Sequence, residues 1–195
     1  MVLEIRVLIE KARAITISKY LSLVLRHNPA ATGITLDEEG WVDVEDLLAG
    51  AARHARSFTR AELEEVVQKN DKQRFAFSLD AKRIRANQGH SISVDLGLTP
   101  ETPPEELYHG TVERFLSSIM ANGLDKRSRH HVHLSSEVAT ATRVGGRRGK
   151  AIVLKIAAAN MHSAGFHFYC SANGVWLTER VPPEYISALV MESDS

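Results

Sequence analysis

The chain has 195 residues, enough for one large domain or two small ones, each with a modest core. Its 24 Lys and Arg balance 24 Asp and Glu, so bulk charge argues against a nucleic-acid binder. The single cysteine excludes an internal disulfide and a multi-cysteine zinc site. No apolar run approaches the ~20 residues of a membrane helix, and the N-terminus lacks a signal-peptide pattern. A cytoplasmic protein without membrane contact is expected.

In chain order, Ile17, Leu21, Val24 and Leu25 recur at helical spacing and should bury one face. Asn28-Pro29 stops that helix, because a residue before proline is pushed out of the α region. Gly33 to Leu36 reads as extended, Asp37-Glu38-Glu39-Gly40 as a turn, and Trp41-Val42 as a strand stub. Asp43 is the expected N-cap of a helix through Leu47 and Leu48. Thr59 should cap another, burying Leu63, Val66 and Val67. Arg74 to Ser78 reads as a strand, with Arg83 to Ala86 as its hairpin partner.

The Pro- and Thr-rich run from Leu98 to Pro104 marks an extended connection, with a boundary between about Gly89 and Glu106. Beyond it, Tyr108-His109-Gly110-Thr111 precedes a helix from Val112 to Asn122, ended by Gly123. His131 to Ser135 reads as a strand, Val138 to Arg143 as a short helix and Ala151 to Ile156 as a buried strand. Gly174 to Thr178 and Ile186 to Met191 complete the set. The class is α+β in two lobes, residues 1–92 winged-helix-like and 93–195 β-rich.

Arg26-His27 closes the first helix and has two readings. Both residues suit the negative end of the helix dipole, and together they offer a fixed cation beside a group that titrates near neutral pH. Between Lys126 and Lys150, seven basic residues face only Glu137, which suits either a solvated loop or a surface for a polyanion. His109-Gly110-Thr111 is read at a strand-to-helix junction, where glycine lets the backbone approach a ligand. Strand alternation puts His131, His133 and Ser135 on one face, joined by Arg129 if the strand starts early. Val144 to Gly149 holds a glycine-flanked arginine pair suited to phosphate. No acidic or cysteine partner lies at ligand spacing from the histidines, so no metal is expected.

Taken together, the segments Ser18 to Pro29, Asp71 to Phe75, Ile84 to Ser91, Tyr108 to Thr111, Arg129 to Ser135, Val144 to Gly149 and Ser171 to Thr178 strongly resemble the RNA (tRNA) 2′-phosphotransferase family. The resemblance runs from about Ser18 to Ile186, with every motif in order. It implies an N-terminal winged-helix RNA lobe and a C-terminal ADP-ribosyltransferase-like lobe that holds NAD⁺ as co-substrate. It implies removal of an internal RNA 2′-phosphate in two steps. The phosphate attacks the nicotinamide-bearing ribose carbon; the neighbouring ribose hydroxyl then attacks phosphorus, giving 2′-hydroxyl RNA and ADP-ribose 1″,2″-cyclic phosphate.

The family's catalytic Arg-His-Arg-Arg set falls on Arg26, His27, Arg74 and Arg129. Three guanidinium groups are a natural substitute for a metal on a transferred phosphate, and His27 is the candidate acid/base of the second step. The resemblance places His109, Gly110, Thr111, His133, Ser135, Arg147, Ser171 and Asn173 on NAD⁺. Val175 stands where transferases acting on protein side chains carry an acid, which disfavours such acceptors. The alternatives are a transferase that caps phosphorylated nucleic-acid ends and a non-catalytic binding protein. A monomer is expected.

Overall fold

The computed structural model describes the backbone of residues 2–70 and 72–189, and the side chains there apart from those of residues 2–9 and 148. Helix α1 (Val2–Arg26) stops where the sequence stops it. The N–H groups of His27 and Asn28 both return to the Leu23 carbonyl, at 3.0 and 2.9 Å. The Asn28 side chain then caps a 3₁₀ turn, Pro29–Thr32, in which proline needs no donor. Ile17, Leu21, Val24 and Leu25 are all buried, as their spacing predicts.

Two short helices follow strand β1 (Val42–Asp43). In α2 (Val44–Arg53), the Asp43 carboxylate accepts from the Glu45 N–H at 2.8 Å. In α3 (Arg60–Gln68), Thr59 and Glu62 form a reciprocal capping box. Glu62 also pairs with Arg13, which ties α3 to α1. The predicted hairpin is β2 (Phe75–Phe77) and β3 (Arg83–Ala86), and β1 joins it in an antiparallel sheet of order β1-β3-β2. Ile84 sits in the middle strand, opposite Val42 and Phe77, and is fully buried. The apolar faces of α1, α2 and α3 close over this sheet to form one core.

The chain divides into two compact units between Gly97 and Leu98. The segment on each side of that point is tied to its own unit: Asp95 N–H donates to Glu38 O, and Glu101 N–H to Phe168 O.

In the second unit, β4 (Leu107–Val112) leads into α4 (Glu113–Asn122), and a two-residue strand β5 (Leu124–Asp125) follows. After β6 (Val132–Leu134) come α5 (Val138–Gly145), β7 (Ala151–Ile156) and α6 (Ala158–Ser163). The last strands are β8 (Phe168–Cys170), β9 (Trp176–Thr178), β10 (Arg180–Val181) and β11 (Ile186–Ala188). They form two three-stranded antiparallel sheets, β11-β7-β4 and β6-β9-β8, and a β10-β5 pair. Tyr108 and Ser135 exchange both backbone hydrogen bonds, at 2.8 and 2.9 Å, and so link β4 to β6. Val132, Leu134 and Phe168 point from the second sheet into a core shared with Leu154, Ile156 and Met161.

Several boundaries differ from the sequence reading. His109, Gly110 and Thr111 lie inside β4 rather than at its end, because all six β4 residues pair with β7. Strand β9 begins only at Trp176, since Gly174 takes φ +73° in the preceding turn. Strand β11 ends at Ala188, and residues 190 and 191 of the predicted strand lie outside the described residues. Among the described residues, no helix is long and apolar enough to cross a membrane.

Candidate functional site

The residues singled out by sequence fall into two clusters, one in each unit. In the first, Arg26 closes α1 half-buried, and its guanidinium is held from three directions. Nη2 donates to the Arg74 carbonyl at 3.2 Å, Cζ lies 5.6 Å from the Phe75 ring centre, and Gly89 packs beside it. Gly89 has φ +87°, a left-handed conformation that glycine adopts without strain. Arg74 is half-buried, and its Nη1 donates to Asn70 Oδ1 at 3.3 Å.

His27 projects from the same helix end but is exposed. Its Nδ1 lies 2.9 Å from Ser91 Oγ. The Ser91 N–H donates to the Arg26 carbonyl, also at 2.9 Å. Buried Asn87 donates from its backbone to Arg74 O and from its side chain to Gln73 O, at 2.9 and 2.5 Å. The structure thus brings Arg26, His27 and Arg74 into one neighbourhood. Asn87, Gly89 and Ser91 lie in a matching segment, but sequence reasoning does not single them out. The available signal is a Gly and small polar residues directly after a strand, which marks a loop able to touch a site.

The second cluster centres on His109 and His133, neighbours across the β4–β6 link. His109 Nδ1 is 3.1 Å from the His133 carbonyl. A carbonyl only accepts, so Nδ1 carries the proton and the lone pair of the neutral ring is on Nε2. Burial pushes the His109 imidazole below its ordinary range; the His133 carbonyl opposes this and Arg129 adds to it. Arg129 Nη1 approaches His133 Nδ1 at 3.4 Å. Guanidinium only donates, so in that contact His133 Nδ1 accepts.

The other residues expected on NAD⁺ are placed differently. A Cβ on Gly110 would meet the Ala141 carbonyl oxygen at 1.8 Å, so Gly110 is the seat of α5 on β4. A Cβ on Gly145, from the α5 side, would lie 2.9 Å from the Thr111 carbonyl oxygen. Thr111 is buried beneath that contact. The Ser135 hydroxyl accepts from Glu137 N–H at 3.1 Å, in the turn that starts α5. Ser171 is buried in the β8–β9 turn, accepting from Val175 N–H at 3.2 Å and lying 2.8 Å from Asn173 Oδ1. Arg147 is exposed in the 3₁₀ turn after α5.

His131 packs against Tyr169, with ring centres 5.5 Å apart. Both line a cavity of about 460 Å³ with Lys126, His130, His167 and Arg180. Among the described residues, no group of three or more His, Cys, Asp or Glu is placed to hold a metal.

Each unit thus carries its own cluster of arginine and histidine side chains. Residues 12–180 match the model of the RNA 2′-phosphotransferase, Tpt1 / KptA family. A probable RNA 2′-phosphotransferase of Nostoc punctiforme is 56% identical over 178 residues, covering 91% of this chain and 98% of that protein. Those of Hahella chejuensis and Pseudomonas aeruginosa PAO1 are each 56% identical as well. They cover 88% and 87% of this chain and 92% and 93% of their own. The chain belongs to the RNA 2′-phosphotransferase family.

Proposed function

We propose that the protein is an NAD⁺-dependent RNA 2′-phosphotransferase, which moves an internal RNA 2′-phosphate to NAD⁺. The observation that carries this reading is the family match over residues 12–180, which spans every residue assigned a role below. The first unit, up to Gly97, is the RNA lobe. Its order of elements, α1-β1-α2-α3-β2-β3 with sheet order β1-β3-β2, supports a winged-helix reading. The second unit, from Leu98 on, is the NAD⁺ lobe. Two small antiparallel sheets joined at Tyr108–Ser135, with His109 beside His133, support an ADP-ribosyltransferase-like reading.

The donor set fits NAD⁺: a half-buried imidazole whose Nε2 carries the lone pair, a second histidine, and an arginine beside them. His109, Thr111 and His133 would hold it, with Gly110 shaping the strand and Ser135, Arg147, Ser171 and Asn173 at the periphery. When bound, NAD⁺ supplies an electrophilic ribose carbon and the neighbouring hydroxyl.

Each unit brings its own arginines to the reaction. Arg26 and Arg74 bind and orient the RNA 2′-phosphate, and Arg129 neutralises charge that develops on it; fixed guanidinium groups do this without reorganising. His109 stays neutral near pH 7 because of its burial, so it offers a hydrogen bond without repelling a cation. His27 gives a proton to the departing RNA 2′-oxygen in the second step. The single half-buried Cys170 suits a reducing, cytoplasmic setting.

Incubation with NAD⁺ and a 2′-phosphorylated oligonucleotide should release nicotinamide and ADP-ribose 1″,2″-cyclic phosphate in equal amounts. Folded protein that forms neither product overturns the proposal. A stable ADP-ribosylated nucleic-acid end would indicate end capping instead.

A further inference from the structure

We propose that Asn87 is a positioning residue for Arg74, acting through the left-handed backbone at Gln73 that leads into it; this rests on the phosphotransfer reading above. Gln73 has φ +40°, a conformation that residues with a Cβ avoid. Its side chain is exposed, so packing around that side chain does not impose the conformation. Its backbone groups are held instead. The Gln73 N–H donates to the Asn70 carbonyl at 2.8 Å, and the Gln73 carbonyl accepts from Asn87 Nδ2 at 2.5 Å.

Asn87 carries the β2–β3 ladder past its last paired residues. Phe75 is paired with Ala86, and the Asn87 N–H then donates to the Arg74 carbonyl at 2.9 Å. The Asn87 side-chain amide takes the next carbonyl back along the chain, that of Gln73. One buried residue thus fixes both carbonyls of the Gln73–Arg74 step. The Arg74 carbonyl also accepts from Arg26 Nη2 at 3.2 Å, so a shift of this step moves an acceptor of Arg26 together with the backbone that carries Arg74. The Arg74 side chain returns to the same region, its Nη1 donating to Asn70 Oδ1 at 3.3 Å.

A carbonyl oxygen only accepts, so the Asn87 amide has to present its NH₂ group to Gln73. The requirement is chemical as well as steric. Leucine keeps the branched shape of the side chain but has no donor, and alanine lacks both. In either variant Gln73 is able to return to a negative φ, which relieves the Cβ clash of the left-handed form. The peptide that leads into Arg74 then turns with it. Guanidinium groups assist phosphate transfer from a fixed position, and a misplacement of about 1 Å is enough to slow a reaction.

The test uses the full chain as wild type, Asn87→Ala, Asn87→Leu, Gln73→Gly, and Gln73→Gly combined with Asn87→Ala. The first readout is φ at Gln73, from the NMR cross-peak between its own amide and α protons, which is strong when φ is positive. It should be strong in wild type and weaken in both single Asn87 variants. The second readout is turnover of a 2′-phosphorylated oligonucleotide at saturating NAD⁺. Asn87→Ala and Asn87→Leu should lower kcat roughly tenfold to a hundredfold, with the KM for NAD⁺ unchanged. Gln73→Gly should stay within about threefold of wild type, because glycine takes a positive φ without strain. The same glycine should recover most of the loss in Asn87→Ala, whereas a merely structural role for Asn87 would not respond to position 73.

A positive φ at Gln73 that survives in both single Asn87 variants overturns the inference. So does a wild-type rate in Asn87→Leu, which fills the same buried space and keeps the test decisive if Asn87→Ala does not fold. A combined variant no more active than Asn87→Ala overturns it as well. A wild-type chain with no turnover but an Asn87-dependent φ at Gln73 would instead overturn the phosphotransfer reading, so the two failures are distinguishable.

Discussion

His27 and His109 carry the proposed acid/base and NAD⁺ roles, and the chain holds them in opposite ways. His27 is exposed at a helix end, with Nδ1 2.9 Å from Ser91 Oγ. His109 is inside a paired strand, with Nδ1 on the His133 carbonyl and its basicity suppressed mainly by burial. An exposed imidazole can exchange protons at little cost, whereas a buried one resists charge. The difference fits the proposed division, with proton transfer at His27 and neutral hydrogen bonding at His109.

The largest expected effects break both halves of that comparison. Arg74→Ala in the first unit and Arg129→Ala in the second should each lower kcat on the order of 10²–10³-fold, because each removes a fixed charge from the proposed catalytic set. Product formation under saturating NAD⁺ checks this. Retention of activity by either variant would remove its unit's arginine from the chemistry. Gly110→Ala should damage only the second unit's architecture. The added methyl would overlap the Ala141 carbonyl and separate α5 from β4, at a cost of about 3 kcal/mol read by urea unfolding.

A smaller effect tests the neutrality of His109. Its folded value lies below the ordinary 6.5, so the unfolded chain binds the proton more readily. Stability is therefore fully present above about pH 6.5 and is lost as pH falls from there through the lower folded value. Urea midpoints between pH 5 and 7, in ~0.5-unit steps, should fall less in His109→Gln than in wild type.

The smallest effect is in the first unit, away from His27. Arg13 and the Thr59 backbone hold the Glu62 carboxyl down from 4.5 to about 2. That contribution is present above pH 4.5 and lost as pH falls through about 2. Glu62→Gln should cost about 1 kcal/mol at neutral pH, approach wild type in acid, and leave turnover unchanged.

Local chemistry makes the first unit more legible than the second. Asn28-Pro29, Asp43 and Thr59 each act within a turn of their own position, and all three stop or start helices as their residue types predict. The hairpin of Phe75–Phe77 and Arg83–Ala86 announces itself by adjacent strand-forming runs. In the second unit, elements depend on partners far along the chain. The β4 boundary is set by pairing with β7, some forty residues on, so the local sequence around His109 suggests a junction where the strand in fact continues. Strands β5 and β10 have two residues each and exist only as a pair. Gly110 reads as a place for a ligand because no sequence pattern shows α5 arriving over it.

The same distinction applies to the candidate site. The Arg26-His27 pair is visible from its place at a helix end, and the arginines from the family's segments. Ser91 is not, because its contact with His27 spans 64 residues and depends on how the segment after β3 turns back. Residues that act directly leave a motif, while those that hold them leave only geometry.

The most direct test of the division between the two histidines is a rapid-quench time course of His27→Ala with NAD⁺ and a 2′-phosphorylated oligonucleotide. Nicotinamide release should persist while ADP-ribosylated RNA accumulates and cyclic phosphate lags behind. Loss of nicotinamide release together with cyclic phosphate, in a folded variant, would contradict the assignment of His27 to the second step.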